Sequence, residues 1–427
     1  MSAVATRSYT DTPASLIVIC ASACAIVIAN IYYAQPLISL IAPDLGLHAG
    51  LAGLVVALTQ LGFGTGLLFI VPLSDRFENR RLIVLALGAV LVGLTGIVLS
   101  DSVLTFLTAS FLVGLGAVAV QILVPFASQF APPQSRGTVV GTVMGGLLAG
   151  IMLARPFATY TAGQFGWRSV FVIAAGVVLA LMLVLSRVLP RRWPDTHLSY
   201  AGIMKSLPVL VARTPVLRRR ALYQGMLFAA FNLFWTGAPL LLANKFGMTH
   251  RGIALFTLVG AAGALAAPIA GRLADRGLTR AATLCALTAA TAAWVLSGIA
   301  GHAHSLPLLI AAAVLLDAAV QVNGVLSLRS IYALAPELRG RLNGLFLSFV
   351  FLCGATSSVL AAALYVSGGW VALAVVGALC GIAALLFYLP EAWRARHDAA
   401  RKLASTSNHL RRRLALTENV IGNRAHK

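Results

Sequence analysis

The stretch Pro72-Leu73-Ser74-Asp75-Arg76 ends a long apolar run, and Arg272-Leu273-Ala274-Asp275-Arg276 ends another one 200 residues later. Four further features recur in the same order at nearly the same offset. The first is Asn30 with Pro36, repeated as Asn232 with Pro239, and the second is Gln121, repeated as Gln321. The third is Ala131-Pro132 with Arg136-Gly137, repeated as Ala335-Pro336 with Arg339-Gly340, and the fourth is Phe165-Gly166-Trp167, repeated as Gly368-Gly369-Trp370. Chance can explain one such match, but five matches in order indicate an internal duplication.

The composition predicts an all-α integral membrane protein. Of the 427 residues 59% are hydrophobic and 10% are charged, whereas a soluble protein carries about 25% charged residues. In hydrocarbon only helices and closed barrels satisfy their own backbone, and the apolar runs here are long enough for helices. Twelve transmembrane helices are predicted at about 15–40, 50–73, 81–99, 103–127, 138–162, 168–188, 220–244, 252–274, 281–300, 305–329, 341–366 and 370–389.

The duplication and the spans together predict two pseudo-symmetric halves of six helices each. Residues 1–188 form the N-terminal half, 189–218 a basic cytoplasmic linker, 219–389 the C-terminal half and 390–427 a basic cytoplasmic tail. Parallel repeats of this kind place a substrate site between the halves and alternate its access by rocking.

Lysine and arginine predict the orientation, because cytoplasmic loops are enriched in them. With the N-terminus inside, 27 of the 32 basic residues lie in cytoplasmic segments and three in outer loops. Both termini are therefore predicted to be cytoplasmic. The same bias explains the net charge of +20 without a nucleic-acid partner.

The sequence resembles the major facilitator superfamily (MFS) over nearly its whole length. The segment Leu73-Ser74-Asp75-Arg76 with Arg80-Arg81 is similar to the family's G-x-L-a-D-r-x-G-r-r signature, although Pro72 and Glu78 replace its glycines. The copy Gly271-Arg272-Leu273-Ala274-Asp275-Arg276-Gly277 matches it more closely. Within the family, Asn30-Ile31-Tyr32-Tyr33-Ala34-Gln35-Pro36 and Leu153-Ala154-Arg155-Pro156 most resemble bacterial sugar- or drug-efflux permeases of the drug:proton antiporter type. Ser110, however, stands where many drug antiporters have arginine.

The resemblance and the repeat together predict a gating motif at the cytoplasmic ends of the halves. A carboxylate there accepts hydrogen bonds from a helix N-terminus, pairs with the arginines that follow it, and holds the inner gate in one state. The alternative is a surface charge balanced by its neighbours. The predicted gating residues are Asp75, Arg76, Arg80, Arg136, Asp275, Arg276 and Arg339.

Asp317 is the only acidic residue well inside a predicted span. A charge at the bilayer centre costs about 3 kcal/mol, so such a residue usually faces a cavity or a partner. Arg155 lies at a similar depth, about 18–20 Å from the outer end of its helix. We predict that the two side chains form an ion pair. A fixed structural pair and a proton-coupling or substrate role remain open alternatives.

A polar and aromatic set is predicted to line the substrate cavity. In the family the first, fourth, seventh and tenth spans surround this cavity. Amide, phenol and aromatic groups on these spans suit a polar or amphipathic organic solute, although the alternative for any one amide is a hydrogen bond that joins two helices. The predicted lining residues are Asn30, Tyr33, Gln121, Gln224, Asn232, Trp235 and Gln321.

These features predict a secondary transporter that exports a small organic molecule, drug-like or sugar-like, against protons by alternating access. An importer that carries an organic anion with protons and pairs it with Arg155 is the first alternative, and a transport-inactive sensor or scaffold is the second. No nucleophile with its base, no metal-ligand spacing and no nucleotide loop is recognisable, so neither an enzyme nor a cofactor is expected. The resemblance implies a functional monomer.

Overall fold

The computed structural model describes residues 14–132, 135–193, 199–334 and 338–425, and this part of the chain is helical, without a strand. Its helices are α1 Ala14–Ala29, α2 Ile38–Asp44, α3 Leu54–Phe69, α4 Asn79–Val98, α5 Val103–Ala117, α6 Ala119–Gln129, α7 Arg136–Phe165, α8 Trp167–Val188, α9 Tyr200–Arg213, α10 Pro215–Asn244, α11 His250–Gly260, α12 Ala266–Asp275, α13 Thr279–His302, α14 Leu306–Tyr332 and α15 Arg339–Ala425. The all-α membrane fold predicted from composition is confirmed.

The helices are consistent with the twelve predicted spans. Among the described residues, nine helical stretches are long and apolar enough to cross a membrane. One of them, Arg339–Glu391, has 53 residues, about twice the length of a span, and leaves helical geometry at Gly369. Two shorter apolar helices, Ser15–Ala29 and His250–Val259, occupy predicted spans one and eight.

Successive spans run in opposite directions, so the loops gather at two ends of the bundle. The loops that hold Asp44, Ser100 and Trp167 meet at one end, where Arg168 bonds both Asp44 and the Ser100 carbonyl. We name this the Trp167 end. The opposite end, where α3 leads into Asp75, is named the Asp75 end.

The two halves are packed together along two helix pairs. The first pair is α3 with the 339–368 arm of α15, and there the Ser348 hydroxyl donates to the Gly64 carbonyl at 2.9 Å. The second pair is α7 with α11. These contacts leave the inward faces of α7, α10 and α14 to meet at the centre of the bundle.

The linker predicted at 189–218 contains helix α9, which was not predicted. The Ser199 side chain begins this helix by accepting a hydrogen bond from the Gly202 amide at 3.1 Å, as an N-cap does. The Tyr200 hydroxyl donates to the Phe69 carbonyl at 3.0 Å, so the helix is attached to the N-terminal half.

Candidate functional site between the halves

Arg155 is the buried centre of the site on the N-terminal half. It lies within α7 and only 2% of its surface is exposed. Its Nε donates to Gln35 Oε1 at 2.9 Å. The rings of Tyr32, Phe231 and Trp235 surround the guanidinium carbon at 5.1, 5.1 and 4.7 Å from their centroids. These distances are those of cation–π interactions, which strengthen when the cation is desolvated.

Asp317 occupies the facing position on the C-terminal half. It lies in α14, is 6% exposed, and its Oδ1 accepts a hydrogen bond from Trp235 Nε1 at 2.8 Å. Helix α14 lies very close to the backbone of Gly263 in the eighth span. A Cβ built on Gly263 would lie 2.5 Å from the Asp317 Cβ. Any larger residue at position 263 would push α14 away.

In this conformation Arg155 and Asp317 do not form a direct salt bridge, since the salt bridges of the described residues do not include one between them. The Trp235 side chain lies between them, with its face toward the guanidinium and its N–H toward the carboxylate. The two charges still interact electrostatically. An indole therefore connects the opposite charges of the two halves.

Two interrupted helices flank these charges. The first predicted span leaves α-helical geometry after Ala29, and the resulting turn carries Tyr32 and Gln35 toward Arg155. The eighth span changes to 3₁₀ geometry at Ala261–Leu265, next to Asp317. Discontinuous helices near the bilayer midplane are typical of substrate and ion sites in secondary transporters.

A chain of amide side chains continues from Arg155 into the other half. Gln35 Nε2 donates to Asn232 Oδ1 at 3.4 Å and to Thr236 Oγ1 at 3.5 Å. Gln60 Nε2 donates to the same Asn232 oxygen at 2.5 Å. Asn232 therefore belongs to this network, and with Trp235 it is one of two predicted lining residues that contact Arg155 or its partner Gln35.

The other predicted lining residues have different surroundings. Asn30 donates to the carbonyls of its own helix, Ile26 at 2.8 Å and Val27 at 3.3 Å. Tyr33 packs against the Phe157 ring at 5.7 Å. Half-buried Gln321 forms no side-chain hydrogen bond with the described residues.

Gln224 joins α10 to α14 within the C-terminal half. Its Oε1 accepts from Asn323 Nδ2 at 2.8 Å, and its Nε2 donates to the Val320 carbonyl at 3.3 Å. Both amide groups are buried. In this conformation these hydrogen bonds of Gln224 therefore stay within one half and join two of its helices.

Gln121 belongs to a bridge between the halves toward the Asp75 end. Asn343 Nδ2 donates to Gln121 Oε1 at 3.2 Å, and the Tyr332 hydroxyl donates to Asn343 Oδ1 at 2.9 Å. Tyr332 is the last residue of α14 and Asn343 is near the start of α15. In this conformation Gln121 therefore contacts the other half rather than Arg155 or Asp317.

The two copies of the gating motif have different neighbours. Asp275 forms an ion pair with Arg329 of its own half. Asp75, in contrast, lies in the electrostatic field of Arg341, from the other half, and of Arg192, from the linker. Among the described residues, the N-terminal copy thus interacts across the halves, whereas the C-terminal copy pairs within its own half.

The arginines of the motif bind mostly to backbone. Arg80 donates to the Leu189 carbonyl at 3.3 Å and so holds the linker. Arg136 and Arg339 occupy equivalent positions in the two halves and donate to the carbonyls of Ala131 at 3.2 Å and of Tyr332 at 3.0 Å. Arg76 and Arg276 are exposed.

The site contains residues that the sequence analysis did not select, namely Tyr32, Gln35, Gln60 and Phe231. Tyr32 and Gln35 lie inside the quoted run Asn30–Pro36, so that run held the signal, but helical spacing from Asn30 selected Tyr33 instead. The helix ends at Ala29, and the 3.6-residue period does not apply beyond it. In the described part of the chain no cluster of three His, Cys, Asp or Glu residues could hold a metal ion.

Comparisons with known proteins agree with this architecture. A family model described as Major Facilitator Superfamily matches residues 19–252 and again residues 221–422. The uncharacterized transporter YgaY of Escherichia coli O157:H7 is 38% identical over 388 residues, which cover 90% of this chain and 96% of YgaY. A probable transporter of Streptomyces coelicolor is 33% identical over 84% of this chain and 82% of its own length.

Solved structures show the same fold at low sequence identity. The human organic anion transporter MFSD10 superposes with a TM-score of 0.64 at 18% identity, covering 88% of this chain and all of that one. A bacterial homologue of the lysosomal transporter Spinster, in an inward-facing and unoccupied conformation, superposes with a TM-score of 0.65 at 16% identity, covering 89% and 96%. With both halves matched by the family model and relatives aligned over most of their length, the chain is a membrane transporter that belongs to the Major Facilitator Superfamily.

Proposed function

We propose that this transporter moves a small organic molecule across the bacterial inner membrane in a proton-coupled cycle of alternating access. One observation carries the proposal: the buried Arg155 and Asp317 come from different halves and interact through Trp235 rather than in a closed salt bridge. A closed pair would be expected of a purely structural role. An open pair can bind a proton or a substrate.

The proton step follows from the charges. Protonation of Asp317 removes the negative charge that balances Arg155 across the two halves. The attraction between α7 and α14 then falls, while the hydrogen bond from Trp235 Nε1 also weakens, because a neutral acceptor forms a weaker bond than a charged one. Loss of these interactions favours separation of the halves at the site.

The gates follow from the contacts at the two ends. Toward the Asp75 end the Gln121–Asn343 hydrogen bond joins the halves, and at the Trp167 end Gly163 packs against His250. Alternating access requires each set of contacts to break in turn. We place the Asp75 end in the cytoplasm together with both termini, as the lysine and arginine bias predicts.

Further parts of the proposal come from the sequence. The two halves, 1–188 and 219–389, move as units joined by the linker 189–218, and the basic tail 390–427 is cytoplasmic. The protein acts as a monomer.

Export of a drug-like or sugar-like molecule by antiport stays the prediction that the efflux-permease resemblance makes. Import of an organic anion is the second candidate, and the incompletely bonded Arg155 favours it.

The test uses lightly buffered proteoliposomes without an imposed gradient. A panel of sugars, amphipathic amines and organic acids is added outside, and a pH dye records proton movement across the membrane. We expect at least one class to move protons with the wild type, with the direction separating antiport from symport. Asp317→Asn is expected to abolish this movement.

The matched control is Asp44→Asn, which removes an exposed carboxylate at the Trp167 end. It is expected to retain the proton movement of the wild type. Substrate flux through Asp317→Asn that still moves protons at the wild-type ratio would refute the coupling role of Asp317.

A further inference from the structure

The guanidinium of Arg155 has an edge without hydrogen-bond partners. Arginine has five N–H donors in a fixed fork, and among the described residues only Nε has a hydrogen-bond partner, Gln35. Nη2 is fully buried and has no partner in this part of the chain. Such a donor costs free energy when left unsatisfied, and the planar fork matches a carboxylate in two parallel bonds.

Aromatic rings make up much of the surroundings of this guanidinium. The rings of Tyr32, Phe231 and Trp235 each lie about 5 Å from the guanidinium carbon. They exclude water from Arg155, which is 2% exposed, so a ligand that reaches the guanidinium comes next to aromatic rings. A conjugated or aromatic carboxylate has both features, a charged fork-shaped end and a flat apolar remainder.

The charge balance adds a second constraint. The charged groups that act on this site are Arg155 and Asp317, and Tyr32 is the further titratable group that faces the guanidinium. With Asp317 ionised and Tyr32 neutral the pair sums to zero. An added anion alone would leave one uncompensated negative charge in a region of low dielectric, which is unfavourable. A proton on Asp317 restores neutrality.

We infer that the substrate is a planar organic monocarboxylate that binds to the open edge of Arg155 together with one proton on Asp317. This inference rests on the proposed function and specifies its substrate and its stoichiometry. Because anion and proton favour each other's binding, they occupy the same state and cross together. The inference therefore favours symport over antiport at this site.

The experiment measures binding and proton exchange on the full-length protein in detergent. The probes are benzoate and sorbate, with the neutral amides benzamide and sorbamide as isosteric controls. In weak buffer near pH 7.5 we expect both carboxylates to bind the wild type and to take up about one proton per molecule bound, which is the amount that neutralises one added charge. The amides should bind poorly and move no protons.

Two variants separate the two parts of the inference. Asp317→Asn already carries a neutral side chain, so it should bind benzoate without proton uptake and with an affinity independent of pH. Arg155→Gln should lose about 30-fold or more in benzoate affinity, as expected when a buried charge-assisted pair is removed. Arg155→Lys keeps the charge but not the fork and should fall in between, which guards against a folding defect in the glutamine variant.

Arg168→Gln is the matched control. Arg168 also lies against a tryptophan ring, 4.3 Å from the centroid of Trp167, but it is only half-buried and lies at the Trp167 end. Its removal should leave benzoate binding unchanged. Absence of carboxylate binding to the wild type at millimolar concentration, equal binding of the amides, or proton release instead of uptake would each overturn the inference. The proteoliposome test would then still decide the proposed function separately.

Discussion

The turn between α7 and α8 and the turn inside α15 are the two copies of one repeated motif. Gly166 and Gly369 each adopt a positive φ, 80° and 60°, a conformation that residues with a Cβ rarely accept. A tryptophan follows each glycine and begins the next helical segment, and both indoles are buried. The duplication has thus retained the backbone turn and the anchor residue in both halves.

The partners of the two tryptophans are different. In the N-terminal half, Trp167 Nε1 donates to the carboxylate of Asp44 at 3.1 Å. Arg168 binds the same carboxylate and also the Ser100 carbonyl, so three loops meet at one exposed charge. We name these residues, Asp44, Ser100, Trp167 and Arg168, the charged latch.

In the C-terminal half the equivalent indole belongs to an aromatic core. Trp370 Nε1 donates to the Ser297 carbonyl at 2.9 Å. Its ring packs with Trp294 at 5.8 Å and with Phe234 at 5.5 Å between centroids. The comparison indicates that polar contacts stabilise the Trp167 end of the N-terminal half, whereas buried aromatic packing stabilises the equivalent region of the C-terminal half. Substitutions that remove a charge and substitutions that disturb packing should therefore affect the two halves differently.

The largest effect is expected for Gly377→Ala. A Cβ built at this position would lie 2.1 Å from the Trp294 ring, which has no free space because its side chain is fully buried. Ala174 stands at the equivalent place in the N-terminal half, seven residues after its tryptophan. Overpacking should cost about 3 kcal/mol, measurable as a lower midpoint of thermal unfolding.

Gly176→Ala is the control for that substitution. Its Cβ would meet nothing within 4 Å, and alanine has a higher helix propensity than glycine. The midpoint should therefore stay the same or rise. Equal midpoints for both variants would mean that the aromatic core is not close-packed around Trp294, and the contrast between the halves would lose its basis.

A smaller and symmetric effect is expected at the two turn glycines. Gly166→Ala and Gly369→Ala should each destabilise the protein by about 1–2 kcal/mol, because both force a side chain into a sparsely populated backbone region. Neither Cβ would contact another group within 4 Å, so strain alone acts. Thermal unfolding of the two variants should give similar shifts. A shift confined to one of them would show that the repeat does not preserve this backbone requirement.

Part of this architecture was predictable because an internal repeat shows the same backbone requirement at two places in the sequence. The Gly-Trp copies indicated equivalent positions, and both glycines have the positive φ that explains why glycine recurs there. Apolar runs predicted the spans because the backbone in hydrocarbon must satisfy its own hydrogen bonds, and runs of this length suit helices. Charges within apolar runs selected Arg155 and Asp317, which both prove to be buried.

The remaining features depend on packing between distant segments. Helical spacing placed Trp235 on a face with Gln224 and Asn232, but it did not indicate that the indole would separate Arg155 from Asp317. The 3₁₀ segment Ala261–Leu265 contains no proline, the usual sequence signal for a break. It lies where Gly263 meets α14, a contact that spacing within a single segment does not reveal.

The smallest effect, and the one most dependent on pH, is expected from the charged latch. Hydrogen bonds from Arg168 and Trp167 lower the pKa of Asp44 below its ordinary value. A carboxylate with a lowered folded-state pKa contributes stability above its unfolded pKa, about 3.9, and this contribution disappears as pH falls through the folded value. Because both charged partners are well exposed, its size near neutral pH should be below about 1 kcal/mol.

Asp44→Asn tests this contribution through unfolding midpoints measured between acidic and neutral pH. The variant should unfold slightly below the wild type near pH 7, and the two midpoints should converge as the pH falls below about 4. High salt should also reduce the difference. Asp101→Asn is the control, since Asp101 is exposed and forms no ion pair with the described residues. If the difference between the unfolding midpoints of wild type and Asp44→Asn widened in acid, the expected direction of the pH dependence would be wrong. Asp44 would then act by packing rather than by charge.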